Sequence, residues 1–376
     1  GYFSGKNSLC WIGDPEDYSR ARKWMINKIQ QNHNWEKELY HHALNEILRF
    51  NNSIWTKIKQ IDKVFGKELI NFTKEFIQET IKVIIPAYST DWYSYNANIW
   101  IRKYISEEEL NEKDFQLVRS PIVISFSTEY EYELAKIRIN SLKLNLKELT
   151  KKYFYVKDNY QIVGAVNEIK IKEDFEKMSL YDAKKIINYV EEELPQIKRK
   201  REFILKQFEP FKRAILEVLS DFVNLQDKRK ETVFTCNYVL TKAFNKILAE
   251  KGIKDTEIII QAALPEWILN KEKAELSTLS KKAYQGYLRI ATEEIIGEEA
   301  QNKFDLMSKK ENLDLKELKG YSACNGKSKG IVKVIKSVTE FSKLEKGEIL
   351  VTSMTRPEFM PVLKLAKLVF GRLLTS

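Results

Sequence analysis

Gly326-Lys327-Ser328 has the residue types of a phosphate-binding loop. A P-loop needs a glycine, four intervening residues, then Gly-Lys-Ser/Thr, with a helix following to aim its N-terminus at the phosphates. Position 321 is Tyr, so the first glycine stands one residue out, at Gly320, and Gly330-Ile-Val-Lys-Val334 continues as a strand pattern. The P-loop is rejected on spacing and context; a glycine-rich hairpin with exposed lysines is the plainer reading. The three histidines are His33, His41 and His42. Adjacent His41 and His42 point about 100° apart on a helix, and His33 lies beyond the reach of one shared ion. No Cys or carboxylate at i, i+4 spacing completes a ligand set, so no metal is expected. Nor do these histidines pair with a Ser, Cys or Asp as a nucleophilic triad requires. Cys10, Cys236 and Cys324 are far apart and odd in number, which points to reduced thiols and a cytoplasmic compartment.

Residues 320–370 carry the elements that would position chemistry. Ile331, Val332, Val334 and Ile335 form a β-branched run behind Gly320, Gly326 and Gly330. Residues 339–346 suit a short helix capped by Thr339. Residues 348–352 form a second apolar run bounded by Gly347. Pro357 stands where a helix can start, and Phe359, Met360, Leu363, Ala366 and Leu368 recur at helical spacing. A third strand begins at Leu368. The pattern predicts strand, helix, strand, helix, strand.

That order resembles the swivelling phosphohistidine domain of the PEP-utilising enzymes, the group containing phosphoenolpyruvate synthase, pyruvate phosphate dikinase and rifampicin phosphotransferase. The resemblance covers about 55 residues. It rests on Gly320-Tyr-Ser-Ala-Cys-Asn-Gly326, Gly330-Ile-Val-Lys-Val334, Lys346-Gly-Glu-Ile-Leu-Val-Thr352 and Met354-Thr-Arg-Pro-Glu-Phe-Met-Pro361, then the run ending at Val369. It implies a partial β/β/α swivelling domain that carries a phosphoryl group on a His. In the family the third strand leads through a Gly-Gly pair and a Ser/Thr-rich turn to that His. Here Phe370-Gly-Arg-Leu-Leu-Thr-Ser376 contains no His, and Arg372 replaces the second glycine. The resemblance puts Thr375 and Ser376 just before the absent phosphoacceptor. It also puts Thr355 and Arg356 near the phosphohistidine turn, as hydrogen-bond donor and phosphate-neutralising cation; the plainer reading is a helix start with an exposed Arg.

The same resemblance requires a donor site. No ATP-grasp loop and no run of alternating strands and helices able to close a barrel is visible. ATP or PEP and Mg2+ would therefore act through missing domains, or through an ATP-grasp or acceptor-site partner supplied by another protein; this chain holds no cofactor of its own. The expectation is a phosphotransferase component whose 376-residue form is inactive, as a fragment, a frameshifted product or an inactive relative. In that case the coding sequence beyond Ser376 continues into Gly/Ser/Thr-His-Ala. The alternative is a non-catalytic binding or regulatory protein that keeps the fold.

The remainder reads as helix, so the fold class is mainly α: a long helical N-terminal region, then the partial swivelling domain. Three domains are expected, at 1–115, 116–312 and 313–376, the second with a β-hairpin over 153–163. Residues 309–319 are polar enough for a hinge. In the first domain, Asp14-Pro15-Glu16-Asp17 has the chemistry of a helix start. Tyr88, Trp92, Tyr93, Tyr95, Trp100 and Tyr104 read as packing between helices, with stacking on bases or sugars as the alternative. In the second, Ser127 is expected to cap a helix. Further helices are expected at about 180–193, 196–224, 227–251, 255–270 and 275–311. Net charge is +10, and the densest basic cluster, Lys198-Arg-Lys-Arg201, reads as a solvated helix face, so nucleic acid is not an expected partner. The apolar run from 258 to 269 is broken by Gln261, Pro265 and Glu266 and is too short for a membrane span. With no cover for its last strand, the 320–376 segment is expected to be the least stable part.

Overall fold

The structure is a computed structural model, and it describes residues 2–5, 8–11, 15–94, 97–158, 163–164, 166–254, 256–290, 292–308, 327–335, 338–352, 360–363 and 365–371. The chain divides into two compact units, Gly1–Ser308 and Lys309–Ser376. The fold class is mainly α, as the periodicity predicts.

The first unit opens with strands β1 (Tyr2–Gly5) and β2 (Ser8–Trp11). Helices α1 (Pro15–Gln31), α2 (Trp35–Ile61) and α3 (Gly66–Ile84) follow. After them come α4 (Ser89–Ser94), α5 (Ala97–Trp100), α6 (Glu112–Arg119) and α7 (Phe126–Ile139). Next are α8 (Leu146–Tyr153), α9 (Glu168–Lys177) and α10 (Leu180–Asn188), then a π turn, Tyr189–Glu193, leading into α11 (Leu194–Leu205). Helix α12 (Pro210–Glu250) has 41 residues and runs about 60 Å at 1.5 Å per residue. The unit closes with α13 (Glu257–Ala262), α14 (Pro265–Asn270), α15 (Lys273–Gln285), β3 (Tyr287–Ile290), β4 (Glu293–Ile296) and α16 (Glu298–Ser308).

Helix α12 is the axis. Its first half buries Ile215, Leu219 and Phe222 with Met25, Ile29, Tyr93, Trp100 and Phe115. Its second half buries Phe234, Val239, Phe244 and Ile247 with Phe50, Ile58, Phe76 and Tyr153. The sequence pattern breaks this helix near 225, within a polar stretch, between the helices expected at 196–224 and 227–251. The actual break falls at 206–209, where the Glu209 carboxylate accepts from the Phe211 and Lys212 N–H groups and Pro210 takes the first helical position. The polar stretch stays helical because its side chains find partners. Arg229 grips both oxygens of Asp91 at 2.9 and 3.1 Å and lies over the Tyr88 ring. Gln226 donates to Asp91 and Ser94, and Asp227 accepts the Phe126 N–H at the start of α7.

Of the aromatic run, Tyr93 and Trp100 pack between helices, while Tyr88 and Trp92 are exposed. Tyr93 meets Trp100 at 4.6 Å and Phe222 at 5.6 Å, and its hydroxyl donates to the Ile215 carbonyl. Tyr95 lies outside the described residues.

Three local expectations need correction. The first arm of the hairpin expected at 153–163 is not a strand: Tyr153 ends α8 and the chain continues as turn, with Val156 N–H bonding Tyr153 O and Asp158 N–H bonding Tyr155 O. The residues from Tyr153 to Val156 are all buried, whereas a half-exposed hairpin alternates; residues 159–162 lie outside the described residues. Helix α7 is capped by Ser125, whose hydroxyl accepts from Thr128, and not by Ser127. The helix expected over 275–311 is interrupted by the β3–β4 hairpin. With β1 and β2 that hairpin makes an antiparallel sheet in the order β2-β1-β3-β4, pairing Phe3 with Leu288. Gly286 suits the entry: a Cβ there would sit 2.7 Å from the Gly297 carbonyl.

In the second unit, β5 (Val332–Val334), β6 (Ile349–Thr352) and β7 (Leu368–Gly371) form a parallel sheet in that order. A 3-10 helix, Val338–Lys343, and the short helix α17 (Met360–Leu363) make the crossovers. The expected alternation of strands and helices is present. Right-handed crossovers in a monotonic strand order put both connections on one face. On that face Leu350 packs with Ile335, Leu344 and Val362, the four buried apolar residues of this core. The other face carries Val332, Val334 and Phe370, each about half exposed. So small a core makes each member indispensable. Leu350→Ala should cost roughly 2–5 kcal/mol and unfold this unit while leaving the helices of the first intact. Limited proteolysis should then cleave within 327–371 and leave a resistant fragment ending near 308; equal resistance of the variant and wild type would contradict this.

Candidate functional site

The first turn of α2 and the facing sides of α11 and α12 enclose a charged cavity of about 320 Å³. Helical spacing builds it: Arg213, Glu217 and Asp221 recur every fourth residue on α12, while Arg201 and Leu205, Glu202 and Lys206 repeat the interval at α11 and just past its end. Lys37 completes the lining. Glu217 is tied down on both sides, to Lys37 at 2.7 Å and Arg213 at 2.8 Å. Burial alone would raise its carboxyl, but those two cations hold it below the usual carboxylate range.

The neighbouring groups are less well matched. Arg201 is only 5% exposed, and its guanidinium donates to two backbone carbonyls, Val118 O and Glu217 O. Burial lowers its affinity for its proton, against the pull of Asp221 and Glu217. Burial also raises Asp221, with Arg201 opposing and Glu217 adding to the rise. Glu36 is fully buried, and neither carboxyl oxygen has a hydrogen-bond partner. Desolvation, reinforced by the charges of Asp221 and Glu217, pushes its carboxyl up to about 9, with Lys37 and Arg201 pulling the other way. Glu36 is therefore a neutral acid at pH 7. Perturbed groups converging on a cavity are the physical mark of a functional site.

Sequence spacing alone does not mark this cluster. Lys198, Arg199 and Lys200 are exposed, as a solvated face requires, but Arg201 turns inward. The i, i+4, i+8 series of Arg213, Glu217 and Asp221 was the available signal, and it looks like any salt-bridged surface. His33, His41 and His42 are all exposed; His41 lies close enough for its charge to act on Asp221. Among the described residues no group of three or more His, Cys, Asp or Glu is arranged to hold a metal.

The residues drawn from the family resemblance are a separate matter. Thr355, Arg356, Thr375 and Ser376 lie outside the described residues, as do 309–326 with the expected hinge and glycine loop. The chain leaves β6 at Thr352 and β7 at Gly371, which are register partners, so the segments bearing those four residues start from adjacent strand ends. In parallel sheets the carboxyl ends of strands are where ligands bind.

Comparison with known proteins finds partial likenesses. A probable phosphoenolpyruvate synthase of Archaeoglobus fulgidus is 32% identical over 143 residues, 38% of this chain and 15% of that protein. Another, of Methanocaldococcus jannaschii, is 40% identical over 67 residues, 18% of this chain and 6% of that protein. A COA8 family protein, mitochondrial, of Caenorhabditis elegans is 24% identical across 24% of this chain and 76% of that protein. No family model matches. The likeness to the two synthases supports a PEP-utilising relationship over part of the chain, which spans only a small fraction of those relatives' length. Among the described residues no helix is long and apolar enough to cross a membrane.

The buried acid should leave a mark on stability. With a folded value of about 9 and an unfolded value of 4.5, the native state holds a proton that the unfolded chain releases between those pH values. Stability from this group is full below about 4.5 and is lost as pH rises toward 9, at up to about 1.4 kcal/mol per pH unit. Glu36→Gln cannot titrate. Its stability relative to wild type should therefore rise by about 2–3 kcal/mol between pH 6 and pH 8. Urea melts of both proteins at the two pH values measure this; parallel curves would show that Glu36 is ionised in the native state.

Proposed function

We propose that this chain contributes the swivelling phosphocarrier unit of a PEP-utilising phosphotransferase, with the phosphoaccepting His lying outside these 376 residues. The observation that carries the reading is the partial identity to two probable phosphoenolpyruvate synthases. The parallel β-α-β-α-β arrangement of 332–371 agrees with it.

On this reading the imidazole nitrogen attacks phosphorus as the bond to the donor oxygen breaks, the oxygen keeping that electron pair. The phosphoramidate then passes the phosphoryl group to an acceptor oxygen as the P–N bond breaks. Arg356 would offset phosphate charge, and Thr355 would donate a hydrogen bond to a phosphate oxygen, with Thr375 and Ser376 leading into the acceptor turn. ATP or PEP with Mg2+ belongs to further domains or to a donor- or acceptor-site partner, and 309–319 supplies the hinge between sites. The three widely spaced cysteines fit a cytoplasmic setting.

The 376-residue chain should gain no acid-labile, base-stable phosphate from labelled PEP or ATP with Mg2+. The longest chain its gene encodes should take one phosphate on a His absent from these residues. Stoichiometric labelling of His33, His41 or His42 would relocate the chemistry, and a full-length product unlabelled by both donors would end the phosphocarrier reading.

A further inference from the structure

The α2–α11–α12 cavity holds charges of both signs that make no direct ion pair: Arg201 and Asp221 feel each other's charge across it without touching. Arg201 is nine-tenths buried, yet no carboxylate lies within ion-pair distance of it among the described residues; its hydrogen bonds go to the Val118 and Glu217 carbonyls. Asp221 lines the same cavity with no hydrogen bond and no ion pair. Lys206 stands at the rim, exposed and equally free. Glu36, wholly buried and within electrostatic reach of Asp221, has two carboxyl oxygens without partners. Glu217 is different: it is already satisfied by Lys37 and Arg213, so it does not compete for a ligand's cation, and Glu202, the other carboxylate of the lining, is exposed.

A buried cation with no directly paired anion is a standing cost to the fold. A cavity with such a cation on one side and a free carboxylate on another is completed by a molecule that carries both opposite charges. Neither a simple anion nor a simple cation does this: an anion would face Asp221 unpaired, and a cation would face Arg201.

We propose that this cavity is a binding site for a free α-amino acid, its carboxylate on Arg201 and Lys206 and its ammonium group on Asp221. The guanidinium fork suits a carboxylate, because two parallel N–H donors match its two oxygens. An ammonium ion beside Asp221 also offsets the repulsion between Asp221 and Glu217. The volume of about 320 Å³ is at the small end of ligand pockets, which suits a molecule of this size. The site lies wholly in the first unit and uses none of the residues assigned to phosphoryl transfer, so it stands apart from that reading.

The test uses the 376-residue chain. Thermal melting is followed with each of the twenty proteinogenic amino acids at about 10 mM, since a ligand that binds only the folded state raises the melting temperature by mass action. The amino acid giving the largest shift is then titrated calorimetrically beside its N-acetyl derivative, its carboxamide and inorganic phosphate. Binding is expected for the free amino acid, at least about tenfold weaker for each blocked derivative, and about tenfold weaker again for Asp221→Asn, a loss of about 1.4 kcal/mol. Asp221→Asn breaks no hydrogen bond or direct ion pair, only the longer-range attraction to Arg201 and Lys37, so that variant should fold; it keeps the test decisive where Arg201→Gln, which removes the bonds to Val118 and Glu217, fails to fold. Phosphate or the N-acetyl derivative binding as tightly as the amino acid would overturn the proposal in favour of a plain anion site. So would unchanged affinity in Asp221→Asn, or no melting shift with any amino acid.

Discussion

The bidentate ion pair between Arg229 and Asp91 is the interaction on which the helical unit depends most. It sits at the middle of α12, where that helix passes from one apolar core to the other. Arg229 is buried, and its guanidinium is satisfied by both Asp91 oxygens, the Ala87 carbonyl and the Tyr88 face. A buried charge is tolerable only with such full compensation. The pair joins α4 to α12, and the neighbouring Gln226 and Asp227 extend the polar layer to Ser94 and to the start of α7. The layer lets one helix of 41 residues serve two cores without a break.

The cavity beside Glu36 shows the same physics without full compensation. Glu217 is held by two cations, while Arg201 and Asp221 are desolvated without a direct ion pair and Glu36 without a hydrogen bond. One layer stabilises the fold. The other leaves charges that a bound molecule can still compensate, which the better-formed Arg229 network does not.

The second unit follows a different rule. Its strands are parallel and its order is monotonic, so both crossovers lie on one face and a single small core of Ile335, Leu344, Leu350 and Val362 results. Parallel sheets are ordinarily covered on both faces. The half-exposed Val332, Val334 and Phe370 show how little of this one is covered on its second face among the described residues. The arrangement does bring Thr352 and Gly371 together, and so the starting points of both segments that carry the expected phosphate-proximal residues.

Local pattern by itself determined the helical class, the strand and helix alternation of 332–371, and the packing role of Tyr93 and Trp100, because these depend on residue spacing along a single element. Tertiary structure decided everything that depends on a distant partner. The break expected near 225, between helices at 196–224 and 227–251, does not form because Asp91, Ser94 and Phe126 are in place to bond the polar side chains there. The β3–β4 hairpin reads as helix because Leu288, Ile290 and Ile295 fit either period; pairing with β1, almost the whole chain away, selects strand. Arg201 reads as one of four solvated cations, and only the approach of α2 and α12 desolvates it beside Asp221 and Glu36. Charge and spacing are legible in sequence, whereas the removal of water that makes a charge costly or reactive is a property of the assembled fold.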